Sequence, residues 1–369
     1  MAGLYIHIPY CHSKCAYCDF FSTPRLENVE QYVDALLMEL DIRICELQQP
    51  ITTIYIGGGT PSILPQNLLH KLVEGISDYV DVTKLEEFTI EANPEDVNEE
   101  WVKCISQLGV NRVSMGIQSF NDAELKSINR RHTAQMALNA IDVLRQNGIT
   151  RISADLIYGL PGQDIDSWKK SLNQLISLRL PHFSAYLLSY EPGTGLYARL
   201  MAGKVEEASE DLANEMYQYL ISTARTNGYN HYEISNFAMN GCEAIHNTNY
   251  WRDLPYLGIG VSAHSFNGQH RCFNPSNIKN YIAQLSQGRC VYEVEKEDAV
   301  ARHNDYIIVS LRTSQGIDLN YYQSKYNYDI LGIAKPHITA GRMVLTDTHL
   351  SIAEHSMLIS DRIMLDFIV

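Results

Sequence analysis

Residues 4–18 read LYIHIPYCHSKCAYC, an apolar run followed at once by three cysteines at CxxxCxxC spacing, Cys11, Cys15 and Cys18. An apolar run of this kind is typical of a buried β-strand. Thiolates at this spacing can hold three irons of a four-iron cluster and leave the fourth iron without a protein ligand. An iron with an open position can bind a small chelating molecule and pass it an electron. The stretch therefore predicts a redox-active metal site directly after the first strand.

The same cysteines are compatible with zinc, because three thiolates together with His7 or His12 would complete a tetrahedral site. Tyr17 and the pair Phe20-Phe21 lie among and just after the cysteines, and apolar cover of this kind limits solvent access to a cluster. These aromatic residues favour the cluster. The remaining cysteines are interpreted as buried or idle thiols; they are Cys45, Cys104, Cys242, Cys272 and Cys290.

The composition argues against several classes of function. The chain has 369 residues, 45% of them hydrophobic, and a formal net charge of −14. This charge disfavours non-specific binding to nucleic acid or to an anionic membrane surface. We expect no transmembrane segment, because no apolar run of about 18 residues is present. We expect no secretory signal either, and therefore a reducing, cytoplasmic compartment.

Short β-rich runs alternate with amphipathic stretches over residues 1–235. Strands are predicted at Leu4–Ile8, Thr53–Ile56, Glu87–Glu91, Arg112–Ile117, Arg151–Ile157 and Phe183–Leu188. Helices are predicted at Val29–Leu47, Gln66–Tyr79, Glu99–Leu108, Ala134–Asn147, Ile165–Leu178 and Glu206–Asn227. This alternation favours an α/β fold with parallel strands and helices packed outside. Six such units are too few for a closed eight-stranded barrel, so we predict a partial (β/α)6 barrel, open along one side.

The alternation of strands and helices stops after residue 235. Residues 236–298 are rich in Asn, His, Gly and aromatic residues. We predict a connecting segment of loops and short strands there, with a helix at Asn277–Gln287. Residues 299–369 are predicted to form a small helical and winged module that begins with a helix at Ala299–Arg312. The second part of the chain is therefore expected to be a smaller α+β region.

Glycine and polar motifs follow the predicted strands where each strand ends. They are GGGTP at 57–61, EANP at 91–94, QSF at 118–120 and GLPG at 159–162. Because the carboxyl ends of parallel strands meet at one edge, we expect these motifs to form one site with the cysteines. The glycines let the backbone approach a ligand, and the missing Lys-Ser/Thr ending argues against a nucleoside triphosphate.

Four polar side chains near these strand ends have the chemistry to hold an amino acid and a ribose. They are Glu91, Gln118, Arg130 and Asp155. Carboxylates can hold an ammonium group or ribose hydroxyls, and a guanidinium can bind a carboxylate in bidentate fashion. The alternative is that each is a solvated or capping residue.

Residues 246–251 read HNTNYW and contain a candidate haem ligand, His246. A neutral imidazole is the commonest biological metal ligand and a standard axial ligand of haem. Tyr250 and Trp251 have the rings to stack on a porphyrin face. The alternative is a loop histidine satisfied by hydrogen bonds beside a buried tryptophan, and the residues alone leave both interpretations open.

Together the motifs resemble the radical S-adenosylmethionine (SAM) superfamily, and within it the oxygen-independent coproporphyrinogen III oxidase-like family. The resemblance covers nearly the whole chain and rests on residues 11–20, 57–61, 91–94, 114–120, 155–161 and 246–251. It implies a [4Fe-4S] cluster on Cys11, Cys15 and Cys18, with SAM chelating the free iron. It also implies SAM contacts at Tyr5, Tyr17, Gly58, Gly59, Thr60, Glu91, Gln118, Arg130 and Asp155.

Two branches of this family differ near the cysteines. The porphyrinogen-decarboxylating enzymes carry a fourth cysteine two residues after the third, and an extension ahead of the barrel. Here Phe20 takes the position of that cysteine, and Tyr5 lies almost at the first residue. The Cys-Asp-Phe ending and the HNTNYW hexapeptide resemble the haem chaperone branch.

The chaperone branch implies one bound haem, with His246 the leading candidate ligand, and delivery of that haem to a respiratory haem protein. The alternative is an anaerobic coproporphyrinogen III dehydrogenase that decarboxylates its substrate through a 5′-deoxyadenosyl radical. A homodimer and a transient membrane association are compatible with either function.

Overall fold

The computed structural model describes residues 1–296, 298–326 and 328–369. Its strands are β1 (Ala2–Ile8), β2 (Ile51–Gly58), β3 (Glu87–Ala92), β4 (Arg112–Gln118), β5 (Arg151–Tyr158), β6 (His182–Leu187), β7 (Asn230–Glu233), β8 (Asn236–Ala238), β9 (Tyr256–Ile259), β10 (His264–Phe266), β11 (Arg271–Phe273), β12 (Glu293–Val294), β13 (Ile317–Asp318), β14 (Met343–Leu345) and β15 (His349–Ile352). Its helices are α1 (Val29–Arg43), α2 (Gln66–Ser77), α3 (Glu99–Gln107), α4 (Asp122–Ser127), α5 (Ala134–Gln146), α6 (Ile165–Ser177), α7 (Gly195–Met201), α8 (Glu210–Thr226), α9 (Ile245–Trp251), α10 (Ile278–Leu285), α11 (Ala299–Leu311), α12 (Leu319–Lys325), α13 (Ile330–Thr339) and α14 (Ser360–Leu365).

One large open sheet forms the centre of the molecule. Within the described residues it has twelve strands, in the order β12-β11-β10-β9-β1-β2-β3-β4-β5-β6-β8-β7. Strands β1 to β6 are parallel neighbours in chain order, with at least one helix between each consecutive pair. The predicted partial (β/α)6 barrel is confirmed, and each predicted strand overlaps an observed one.

The two faces of the parallel strands differ in polarity. Apolar side chains on one face are fully buried in the main core; examples are Ile54, Ile56, Phe88, Ile90, Val113 and Met115. The alternate positions carry polar side chains such as Thr89, Glu91, Ser114 and Asp155. Since successive side chains of a strand point to opposite faces, the sheet has an apolar face in the core and a polar inner face.

The sheet extends beyond the six predicted strands on both sides. Strand β9 pairs in parallel with β1, from Gly3 opposite Tyr256 to Ile6 opposite Ile259, and β8 pairs with β6. The boundary predicted at residue 235 therefore lies inside one continuous sheet. A parallel edge strand carries unpaired backbone groups, and β9 satisfies those of β1.

A buried ionic cluster attaches α1 to this added part of the sheet. Arg43 donates from Nη1 to Glu39 Oε1 at 2.8 Å and from Nη2 to Ser265 Oγ at 3.2 Å. Glu39 Oε2 in turn accepts the Gly260 backbone N–H at 2.8 Å. Both charged side chains are at most 2% exposed. The cluster holds α1 against the segment from β9 to β10.

The C-terminal region has its own small sheet. Strands β13, β15 and β14 pair antiparallel in that order, and α11 to α14 surround them. This arrangement confirms the smaller α+β region predicted from the sequence. In the parts of the chain that the structure describes, none of the helices combines the length and the apolar character needed to cross a bilayer.

Candidate functional site

A cavity of about 440 Å³ lies at the carboxyl ends of the parallel strands. We call it the cysteine cavity, because Cys11, Cys15 and Cys18 all line it. Active sites of parallel α/β folds form at this end, where the loops vary without disturbing the core. The predicted position of the site is therefore the position at which the structure has a cavity.

The loop after β1 carries the three free thiols. The Cys11 N–H donates to the Thr23 carbonyl at 3.0 Å, which draws the two ends of this loop together. Burial raises the pKa of the Cys11 and Cys18 thiols, and the nearby Cys15 raises both further. Three neighbouring thiols at one cavity wall are the donor set that an iron–sulfur cluster requires.

The histidines of the zinc alternative are engaged elsewhere. His7 contacts the Tyr5 hydroxyl through Nδ1 at 2.9 Å and the Phe21 carbonyl through Nε2 at 3.1 Å. His12 Nε2 lies 3.4 Å from Asp96 Oδ1. In the described ranges, no three histidine, cysteine or acidic side chains converge where a single metal ion could bind.

Glu91 is a half-buried carboxylate that accepts two hydrogen bonds. The Tyr55 hydroxyl donates to Oε1 at 2.7 Å, and the Gly58 N–H donates to Oε2 at 3.0 Å. Burial nevertheless raises the pKa of Glu91 to about 7, and the nearby Asp155 adds to this effect. A cation bound here would replace the solvation that burial removes. Glu91 is therefore a suitable partner for an ammonium group.

Asp155 is the second carboxylate of the cavity and is also half-buried. It lies in register with Gly116 on β4 and Ser184 on β6. Burial raises its pKa to about 6, and hydrogen bonds from Ser184 and Ser114 oppose this rise. The side chain can accept hydrogen bonds from the hydroxyl groups of a ligand.

Arg130 reaches the cysteines from the loop after α4. Its Nη1 lies 3.5 Å from Cys15 Sγ, and its Nη2 donates to Asn93 Oδ1 at 2.8 Å and also to the Gly116 carbonyl. Its Nε is buried and has no hydrogen-bond partner among the described residues. A carboxylate beside the cysteines is the complementary ligand for this guanidinium.

The glycine motif allows two loops to lie in contact. Gly58 has a φ of +118°, and a Cβ on Gly59 would lie 2.6 Å from the Tyr10 carbonyl oxygen. A side chain would strain the backbone at Gly58 and would clash at Gly59, so both positions require glycine. The loop after β2 therefore packs directly against the loop that carries the cysteines.

Most of the predicted site residues line the cysteine cavity. They are Cys11, Cys15, Tyr17, Cys18, Gly58, Gly59, Thr60, Glu91, Gln118, Arg130 and Asp155. Tyr5 and His246 do not line it. Tyr5 lies behind the wall, with its ring 6.1 Å from that of Tyr55, so a direct contact with a ligand in this cavity is not seen for Tyr5.

His246 is buried in the interior and is 1% exposed. Its Nδ1 is hydrogen bonded to Thr53 Oγ1 at 2.9 Å, and its Nε2 to the Tyr250 hydroxyl at 2.7 Å. Burial lowers the pKa of the ring to about 3. Both nitrogens are therefore occupied, and ligation of an iron by His246 would require the ring to give up one of these bonds.

The hexapeptide forms helix α9, where loops and short strands were predicted. The side chain of Ala244, which precedes the helix, offers no hydrogen-bond acceptor to its first turn. Glu87 on β3 supplies the acceptors instead, taking the N–H of Ile245 at 2.9 Å and that of His246 at 3.0 Å. A carboxylate at a helix N-terminus is stabilising. Because this cap comes from a distant strand, the local sequence did not indicate the helix.

Polar side chains on the inner face of the strands also belong to the site, although the sequence did not indicate them. They include Thr89, Arg112, Ser114, Ser153, His182 and Ser184, all of which line the cysteine cavity. Glu91, Ser114, Ser153 and His182 lie in one register row across β3 to β6. Polar residues at every second position of predicted buried strands were the available signal.

The chain is similar to proteins of known family. The family model described as "Radical SAM superfamily" matches residues 5–175. "Heme chaperone HemW" of Lactococcus lactis is 35% identical over 323 residues, which cover 87% of this chain and 84% of the relative. The protein of the same name from Bacillus subtilis is 35% identical over 340 residues, which cover 90% and 89%. The structure of coproporphyrinogen III oxidase (HemN) from Escherichia coli covers this whole chain with a TM-score of 0.85 at 22% identity, which shows a shared fold.

Proposed function

This chain belongs to the haem chaperone (HemW) family of the radical SAM superfamily, and on that premise we propose that it binds haem and transfers it to an acceptor haem protein. The observation that carries the proposal is 35% identity with named haem chaperones over nearly the full length of both chains. We expect the acceptor to be a respiratory haem protein.

The position of Phe20 supports a chaperone over a decarboxylase. Phe20 stands where the decarboxylating branch carries its fourth cysteine, and it lines the mouth of the cysteine cavity with its side chain 66% exposed. A phenyl ring there offers neither a thiolate nor a proton. The likeness to the oxidase from Escherichia coli is a likeness of fold.

Membership of the superfamily implies a [4Fe-4S] cluster and SAM, and the cysteine cavity has the residues to hold both. Cys11, Cys15 and Cys18 would ligate three irons. When bound, the cluster supplies an electron to SAM. The orphaned Nε of Arg130 beside Cys15 is an observation that fits an anionic ligand at this point.

The side chains around the cysteines would bind the two charged ends of the amino acid. Glu91 in its ionised form holds the ammonium group, and Arg130 holds the carboxylate while Asn93 orients the guanidinium. Asp155 and Ser114 accept and donate hydrogen bonds at the ribose. Tyr17 lines the cavity between these groups, and burial raises its pKa, so the ring stays neutral.

His246 stays the haem ligand predicted from the sequence. The structure adds the condition that its ring must leave Thr53 or Tyr250 before it binds iron.

Ferric haem is titrated under nitrogen into protein whose cluster has been reconstituted, and the haem-loaded protein is then mixed with a haem-free haem protein. We expect saturable binding of one haem per chain and loss of that haem to the acceptor. Failure of the wild-type protein to bind haem would contradict the proposal. Sustained conversion of coproporphyrinogen III to a vinyl product, with SAM and a reductant, would establish the dehydrogenase instead.

A further inference from the structure

A separate cavity lies where the first residues of two helices, α1 and α10, come together. Its volume is about 380 Å³, and its walls come from Tyr10, from the segment between Phe21 and Asn28, and from residues 276–279. We call it the helix-terminus cavity. Ser22 lines both this cavity and the cysteine cavity, so the segment that follows Cys18 contributes to the wall of each. The volume is within the range of about 300–1,000 Å³ that is typical of small-molecule sites.

Helix α1 begins at this cavity without a side-chain cap. Asn28 occupies the N-cap position and lines the cavity, but its side chain makes no hydrogen bond to the first turn. Glu30, in the first turn, is exposed, and in the parts of the chain that the structure describes it makes no hydrogen bond to these N–H groups either. The first N–H groups of a helix have no partner inside the helix, and the helix dipole makes this end positive. An acceptor in the cavity would satisfy these donors.

Helix α10 begins at the same cavity. Its N-cap residue, Asn277, accepts the Asn280 N–H at 3.0 Å and lines the cavity together with Ile278 and Lys279. Two helix N-termini therefore meet at one space. Free N–H groups and the positive end of the helix dipole make such termini binding sites for phosphate and other anions.

Among the described residues, two cations line the cavity against one carboxylate. The cations are Arg25 and Lys279, both exposed, and neither side chain makes an ion pair or hydrogen bond within the described ranges. The carboxylate is Glu27, which is exposed as well. The cavity is therefore locally positive, although the whole chain has a formal net charge of −14. A local excess of positive charge favours an anionic ligand.

Tyr10 gives independent evidence of a ligand. It is 1% exposed and lines the cavity, and its hydroxyl has no hydrogen-bond partner among the described residues. Burial raises the pKa of Tyr10, so the hydroxyl keeps its proton and is a donor. Buried donors without an acceptor are uncommon and destabilising. An oxyanion in the cavity would accept this hydrogen bond.

We propose that the helix-terminus cavity binds a phosphate group, either as the free ion or as part of a small phosphate ester. Arg25 and Lys279 pair with its charge, while the first N–H groups of α1 and the Tyr10 hydroxyl donate to its oxygens. A phosphate group carries up to two negative charges and at least three acceptor oxygens, so it complements two cations and two helix ends better than a carboxylate does.

This site is separate from the cysteine cavity, and the inference goes beyond the proposed function without depending on it. Thr23 lines the helix-terminus cavity, and its carbonyl accepts the Cys11 N–H at 3.0 Å. A phosphate bound here therefore contacts the segment that closes the cysteine loop.

The test is calorimetric titration, under nitrogen and at constant ionic strength, of inorganic phosphate and separately of ribose 5-phosphate. The reconstituted proteins are wild type, Arg25→Gln, Lys279→Gln, Tyr10→Phe and the control Lys204→Gln. Lys204 is exposed, and it lines neither the cysteine cavity nor the helix-terminus cavity. Arg25→Gln and Lys279→Gln should each bind about tenfold more weakly than wild type, because each loses a charge-assisted contact. Tyr10→Phe should bind about threefold more weakly, since a neutral hydroxyl contributes less.

These variants should fold, because Arg25 and Lys279 are exposed and the Tyr10 hydroxyl has no partner among the described residues. Tighter binding of ribose 5-phosphate would assign the site to a phosphate ester, and tighter binding of inorganic phosphate to the free ion; either result supports the inference. Equal affinity in all the proteins, no saturable binding by wild type, or acetate bound as tightly as phosphate would overturn it. None of these results bears on haem binding, so the proposed function is tested separately.

Discussion

His182 and Tyr232 share a hydrogen bond of 2.7 Å that joins the wall of the cysteine cavity to strand β7. His182 lines the cysteine cavity, and Tyr232 lies on β7. Burial lowers the pKa of His182 well below its usual value, so the ring is neutral. Tyr232 also accepts the N–H of Ala244, directly before α9, at 3.3 Å. The pair therefore fixes the start of α9 relative to the strands.

Tyr232→Phe should lower the free energy of unfolding by about 1–3 kcal/mol, because it leaves His182 Nε2 and the Ala244 N–H buried without a partner. Denaturant unfolding of the cofactor-free protein measures this loss. Tyr79→Phe is the matched control, since Tyr79 is an exposed tyrosine bonded to Asp41. Equal midpoints for Tyr232→Phe and wild type would contradict the prediction.

Cys15→Ser should abolish the cluster, because an alcohol is a poor ligand for iron in place of a thiolate. Iron and inorganic sulfide are assayed after anaerobic reconstitution, together with the visible absorbance of the cluster. Cys45→Ser is the control, since Cys45 is exposed and does not line the cysteine cavity. Stoichiometric zinc in the wild-type protein, or sulfide retained by Cys15→Ser, would count against a cluster on these thiols.

Glu91→Gln should remove a pH dependence of stability. Burial raises the pKa of Glu91 from 4.5 to about 7, so the folded protein binds this proton more tightly than the unfolded chain does. Wild type then loses stability as the pH rises from about 4.5 to 7, by at most about 3 kcal/mol, and the variant does not. The free energy of unfolding is measured for both cofactor-free proteins at pH 5 and at pH 8. Between these two pH values, the stability of the variant should rise relative to that of wild type.

The same variant should bind SAM at least about tenfold more weakly, since an amide cannot pair with an ammonium group. In wild type the affinity for SAM should fall as the pH drops below about 7, where Glu91 becomes protonated. Glu100→Gln on α3 serves as the exposed control. A SAM affinity unchanged in Glu91→Gln would rule out the assigned role.

His246→Ala should lower the unfolding free energy by about 2–4 kcal/mol, because it empties a buried site and unpairs Thr53 and Tyr250. If another residue ligates the iron, the Soret band of the folded variant stays where it is in wild type. Thr53→Val is the matched control, which removes one hydrogen bond of the ring and keeps the imidazole. A shifted Soret band in folded His246→Ala would support the ligand predicted from the sequence.

Arg43→Lys should destabilise the protein by about 2–4 kcal/mol, because the ammonium cannot replace the several hydrogen bonds of a buried guanidinium. Arg43 contacts Glu39, Glu46 and Ser265 at once. Thermal unfolding measures the effect. Lys84→Ala, which removes an exposed ion pair with Asp81, should leave the midpoint essentially unchanged. A midpoint for Arg43→Lys equal to that of wild type would contradict the role of the buried cluster.

The parts of the fold that the sequence predicted are those set by local pattern. Apolar runs and amphipathic stretches of the first 235 residues were sufficient to place β1 to β6 and the longer helices between them, but not the short helix α4. The cysteine and glycine motifs were expected to meet because parallel strands end at one edge. No such pattern marks β9, whose partner β1 lies about 250 residues earlier in the chain.

The sequence by itself determined the order of β1 to β6 and of the longer helices between them, the family, and the expectation that three cysteines, Glu91 and Arg130 share one site. Tertiary structure decided that His246 is buried with both ring nitrogens hydrogen bonded. Thr53 on β2 binds one nitrogen, and Tyr250 in the next turn of α9 binds the other. Tertiary structure also decided that residues 245–251 are helical, since the cap comes from Glu87. The physical reason is that hydrogen-bond partners and burial are set by distant contacts, whereas periodicity is a property of neighbouring residues.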